Sequence, residues 1–181
     1  MCDRHIYTLV AQFRSAIEAA CMDRRFNWDK AFQRFPNACC GDTCYLLAEY
    51  LQSYGYKSIY VCGIDHTHQS HAWLVLNDYR VKKPTERRTY LPDEIADVYN
   101  LYSNGSYSSY LVNKSYEESD LENGLIIDIT ADQFGQEPIY FDYRCDFYRH
   151  FRFNSADNLE PLGNERLLKI YNIIMEYMQE V

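Results

Sequence analysis

No run of lysine or arginine longer than a pair, such as Lys82 with Lys83 or Arg87 with Arg88, occurs in the chain, and the formal net charge is −8. Nucleic acid is therefore not an expected partner, because binding it needs a concentrated basic face that neutralises phosphates. No stretch approaches the roughly 20 apolar residues of a membrane-spanning helix, so no membrane association is expected. The opening MCDRHIYTLVAQFRSAIEAA mixes charged and apolar residues, and it shows neither the apolar run nor the small-residue cleavage site of an export signal. Seven cysteines cannot all pair with one another, and none lie in a C-x-x-C arrangement. That odd count, with no export signal, points to free thiols in a reducing cytoplasm. A bacterial injection route that needs no such signal remains compatible with it. Internal repeats and low-complexity linkers are absent as well.

What is present suits one domain spanning 1–181, since domains cluster at roughly 100 to 200 residues. Hydrophobic residues make up 47% and charged residues 24%, the balance of a soluble globular chain with a core. The excess of tyrosine, 18 residues, fits amphipathic surface and core better than stacking on a nucleic acid. Apolar residues at Ile6, Leu9, Val10, Phe13, Ile17 and Ala20 recur at helical spacing and predict a helix over 6–22. Leu46, Leu47, Tyr50, Leu51 and Tyr54 repeat the pattern, with Gly55 as a stop, and predict a second helix over 41–54. Short β-branched and aromatic runs at 57–64, 70–76 and 125–130 read as strands. A closing helix is expected over 165–178 from Leu167, Leu168, Tyr171, Ile174 and Met178. The stretch 79–124, rich in Tyr, Ser, Asn and charge, is far longer than the few residues of an ordinary connection, and it reads as an insertion with a helix over 92–102.

Three polar residues stand where the surrounding pattern has no structural need of them: Cys40, His71 and Asp128. Cys40 falls at the start of the second helix, where unpaired backbone N–H groups and the macrodipole favour an anion. A thiol there becomes a better nucleophile, especially beside an imidazole. His71 lies on a strand whose alternation puts it on one face with Trp73 and Val75. Its ring can pass a proton both ways near neutral pH. Asp128, inside the apolar run LIIDIT, is a carboxylate that needs a partner, and orienting an imidazole would supply one. Singly, the cysteine has a plain alternative as a small core residue and the histidine as a structural one, whereas the aspartate inside an apolar strand is the more suggestive. Together they have the composition of a nucleophile, base and orienter set.

FPNACCGD, SHAWL and IIDITADQF, in that order, resemble the catalytic core of transglutaminase-like cysteine enzymes within the papain-like group. More closely, they are similar to short bacterial proteins reading FPxGxCGDxS, SHAWL and IDITADQF. This resemblance implies an α+β fold in which the helix bearing the nucleophile packs on an antiparallel sheet carrying His71 and Asp128. It also singles out Cys40, the thiol directly before Gly-Asp, from Cys39 and Cys44, whose positions commonly hold serine in that pattern. Ala38 stands where the pattern has glycine, and the 79–124 insertion separates the His and Asp strands further than in the pattern. The papain-type alternative, with Cys44 of CGDTCY as nucleophile, puts that thiol one helical turn inside, on the stripe with Leu47 and Leu51, which suits core packing better.

The resulting expectation is cysteine-dependent hydrolysis or transfer at an amide of a protein or peptide, through a Cys40 thioester, with no metal or organic cofactor. A glutamine deamidase or crosslinking activity falls in the same class. Trp73 is a candidate wall of the substrate pocket, and Gln33 or Asn37 a candidate oxyanion donor. Two rivals come from other classes. His66, His68 and His71 with Cys39, Cys40, Cys44 and Cys62 would be the material of a zinc site, although their spacing fits none of the usual patterns. A catalytically inactive module binding a partner through the Tyr-rich insertion is the other.

Overall fold

A computed structural model describes residues 2–76, 116, 118–121, 124–143, 145–159 and 161–179. Most of the 79–124 insertion, including the helix expected over 92–102, lies outside the described residues. The chain folds as α+β around a five-stranded antiparallel sheet in the order β4-β3-β2-β1-β5. Its strands are β1 (Ile59–Ile64), β2 (Ser70–Leu76), β3 (Leu125–Asp128), β4 (Tyr140–Tyr143) and β5 (Arg152–Asn158). The described elements also include three longer helices, α1 (Cys2–Met22), α2 (Cys40–Ser53) and α5 (Glu165–Met178), two single-turn helices, α3 (Glu118–Leu121) and α4 (Asp146–Arg149), and two short 3-10 helices at Phe32–Arg34 and Ala131–Phe134. Among the described residues no helix is long and apolar enough to cross a membrane.

The sheet separates two apolar layers, and strand alternation explains which residue joins which. Ala72, Leu74 and Ile127 point toward α1, α2 and α5 and meet Phe13, Ile17, Leu46, Leu47, Leu51 and Ile170. Trp73, Val75 and Ile126 point the other way, where Val61, Tyr148, Phe151, Tyr116 and Leu121 pack on them. Burying each such side chain contributes about 1.5–3 kcal/mol before conformational entropy is subtracted. In the larger layer Phe13 of α1 stacks on Tyr50 of α2 with ring centroids 5.0 Å apart. The α1 stripe read from the sequence is buried as expected, and the helix reaches four residues further toward the N-terminus. In α5 the buried set is Leu167, Ile170, Ile173 and Ile174, whereas Leu168 is 39% exposed. The contact face of α5 is thus rotated from the expected one. Asn164 caps this helix by accepting from the N–H groups of Arg166 and Leu167.

Strands β4 and β5 are not legible in the sequence. Both are sheet edges: β4 has no fully buried residue, and β5 buries only Ala156, so neither shows a strong alternation. The third expected strand, 125–130, ends earlier, at Asp128. Its side chain stops it: Asp128 Oδ1 accepts from the Thr130 backbone N–H at 2.8 Å and the Thr130 hydroxyl at 2.9 Å, closing a turn.

Candidate active site

His71 is near the start of β2, and Asp128 ends the neighbouring antiparallel β3, so the two meet at one end of the sheet on the same face. Both are buried, at 0% and 2% exposure. The His71 Nε2–H donates to Asp128 Oδ2 at 2.6 Å, and the Tyr148 hydroxyl of α4 donates to the same oxygen at 3.0 Å. With Thr130 on Oδ1, the carboxylate accepts four hydrogen bonds, which is how an ionised group persists at this depth.

The imidazole is enclosed by rings. Phe134, Phe151 and Trp73 have centroids 4.7, 5.3 and 5.7 Å from it. Gly63, in register with His71, makes this packing possible: a Cβ there would sit 2.7 Å from the Phe151 Cβ and 3.1 Å from the edge of Trp73. Trp73 is itself buried, so it walls the ring from beneath.

Since Nε2 is committed to Asp128, Nδ1 is the nitrogen left for chemistry. It is buried and makes no hydrogen bond of standard geometry, and the Cys40 thiol is near enough to help raise the pKa of the ring. Burial pulls the His71 pKa down, but the charge and hydrogen bond of Asp128, with Cys40, outweigh it and hold it up at about 9. At neutral pH the ring therefore carries a proton on each nitrogen, one toward Asp128 and one available at Nδ1.

Cys40 is the first residue of α2 and is half-buried, whereas Cys39 and Cys44 are 2% and 5% exposed. The Cys39 thiol contacts the Pro36 carbonyl, and burial pushes its pKa well up. Burial does the same to Cys44, on the inner face of α2. Among the three thiols of CCGDTC, Cys40 alone combines access with a histidine.

Ala38 enters the helix with φ of +59°, the left-handed region where glycine is at ease. A non-glycine residue in that conformation costs about 1 kcal/mol. The start of α2 is also tied from outside. Arg166 of α5 reaches Asp42, in the first turn of α2, at 2.7 Å, and grips both carboxylate oxygens of Asp29. Asp42 thus ties the start of α2 to α5.

Arg14, a residue to which the sequence reading gave no role, plays a matching part on the other side. It is 5% exposed and emerges from α1 to donate to the Ile129 and Pro138 carbonyls and to both oxygens of Asp132. Its guanidinium also lies 5.1 Å from the centre of the Phe35 ring. It thereby joins the segment after Asp128 to the loop before Cys40. A signal existed: Arg14 sits within the apolar stripe of α1, between Val10 and Ile17.

Gln33 and Asn37 are exposed and donate to the carbonyls of Lys30 and Arg34, three residues before each. They shape the loop before Cys40, and would have to release these bonds to reach a substrate. His66 and His68 lie exposed in the β1–β2 turn, and among the described residues no three His, Cys, Asp or Glu side chains gather as a metal-holding group. No family model, curated protein or solved structure matches the chain.

Proposed function

We propose that the chain is a thiol enzyme of the transglutaminase-like, papain-like kind that hydrolyses or transfers an amide acyl group through Cys40. The buried His71–Asp128 pair beside the N-terminal thiol of α2 carries the reading. The Cys40 sulfur, as thiolate, attacks the carbonyl carbon, and the C=O electrons move onto oxygen. The first backbone N–H groups of α2, which receive no bond from the Cys39 side chain, are the nearest donors for that oxyanion. As the C–N bond breaks, the Nδ1 proton of His71 goes to the leaving amine, which completes the Cys40 thioester. His71 then takes a proton from water or an incoming amine, which attacks the thioester carbonyl, and the C–S bond breaks to return the Cys40 thiolate beside the reprotonated ring. Asp128 keeps Nε2 protonated throughout, so the working lone pair stays on Nδ1.

The acyl donor in this reading is an amide of a protein or peptide, attacked by the half-buried Cys40 without a cofactor. Glutamine side chains and backbone amides are chemically equivalent acyl donors here. The test is site-resolved alkylation. Iodoacetamide at neutral pH is expected to label Cys40 first, with Cys39 and Cys44 spared until the fold is opened. Even labelling of Cys21, Cys40 and Cys145, the half-buried thiols among the described residues, would overturn the reading.

A further inference from the structure

The Asp128 carboxylate has a partner that neither sequence pattern nor the Cys-His-Asp scheme requires. Tyr148 is a fully buried residue of α4, and its hydroxyl donates to Oδ2, the oxygen that also holds His71 Nε2–H. Its ring stacks toward the imidazole with an interplanar angle of 21° and meets Trp73 edge to face at 5.1 Å. A buried phenol would be satisfied by any acceptor, including a backbone carbonyl. Here it shares the one oxygen on which the base depends.

We propose that Tyr148 is a positioning residue that sets the basicity of His71 by dividing the charge of Asp128 between the phenol and the imidazole. A hydrogen bond donated to a carboxylate lowers its affinity for any other proton. Oδ2 therefore holds the Nε2 proton less tightly than an undivided carboxylate would, and the imidazolium gives up its Nδ1 proton more readily. Without that division, the raised His71 would be too weak an acid to protonate a leaving amine well near neutral pH. The phenol remains protonated, because burial and the Asp128 charge both push its pKa up. It therefore acts as a fixed donor and takes no proton. Among the described residues, the titratable groups around the ring are Asp128 from β3, Cys40 from α2 and Tyr148 from α4; Tyr148 in turn faces Tyr140 of β4 and Cys145. Of these, only Tyr148 shares an Asp128 oxygen with His71.

This inference rests on the thiol-enzyme reading, and its test separates the two. In Tyr148→Phe, which keeps the ring and loses only the hydroxyl, the His71 imidazole is followed by NMR across the alkaline range. The titration is expected to move up by about half a unit, with the far-ultraviolet spectrum unchanged. Thr130→Val removes the hydroxyl bond at the other oxygen and is expected to move it less. An unchanged or lowered His71 titration in a folded Tyr148→Phe protein would overturn the role of Tyr148. If His71→Ala also failed to slow Cys40 alkylation, the thiol-enzyme reading itself would fall, whatever Tyr148 does.

Discussion

Replacing His71 by alanine is expected to slow the alkylation of Cys40 at neutral pH by at least about tenfold. The reason is local. The half-buried thiol has the helix N-terminus on one side and the protonated His71 ring on the other, and the ring carries a full charge where the helix end offers a partial one. Removing the ring also leaves Asp128 buried without its 2.6 Å donor, so a loss of stability is expected alongside. His71→Gln separates the two effects, since its amide retains a donor for Asp128 but cannot exchange a proton. Slow labelling in a stable His71→Gln protein identifies chemistry; labelling at the wild-type rate would show that His71 is structural.

The second large effect is expected in Asp128→Asn. Taking away the carboxylate charge removes the first cause that raises His71, so its titration falls from about 9 toward or below the ordinary histidine range. The sign for stability follows. A pKa raised on folding contributes stability that is fully present below about 6.5, the unfolded value, and is lost as pH rises through about 9. Urea unfolding of the wild-type protein should therefore show falling stability between pH 6.5 and 9.5. In Asp128→Asn that slope should flatten, and the protein should be less stable at neutral pH by about 3 kcal/mol, the scale for breaking a buried ion pair. A wild-type profile that is flat across this window would contradict the proposed charge state of the pair.

The sequence made the core of this arrangement legible because strong local rules coincide there. The stripe in α1, the stop at Gly55 and the alternation of SHAWLVL each follow one periodicity, and each is found in the structure. Cys40 and His71 were visible as polar residues at the ends of apolar runs. The pieces that escaped depend on distant neighbours. Tyr148 lies in a four-residue helix, twenty positions from the carboxylate it binds, and nothing in DFYR marks that bond. Strands β4 and β5 are formed by pairing at sheet edges, where burial is partial and side-chain patterning weak. Asp42 and Arg166 find each other across 124 residues, so their link is a property of how α5 docks on α2. The polar anchors around Cys40 and His71 are thus tertiary, while Cys40 and His71 themselves are marked by local pattern.

The most direct measurement is a short incubation with p-nitrophenyl acetate, quenched in acid and mapped by peptide mass spectrometry. One acetyl group is expected on Cys40 as a thioester, absent in Cys40→Ser and formed much more slowly in His71→Ala. Acetylation spread over lysines and several thiols, at a rate unchanged by either substitution, would contradict a nucleophile activated by His71 and Asp128.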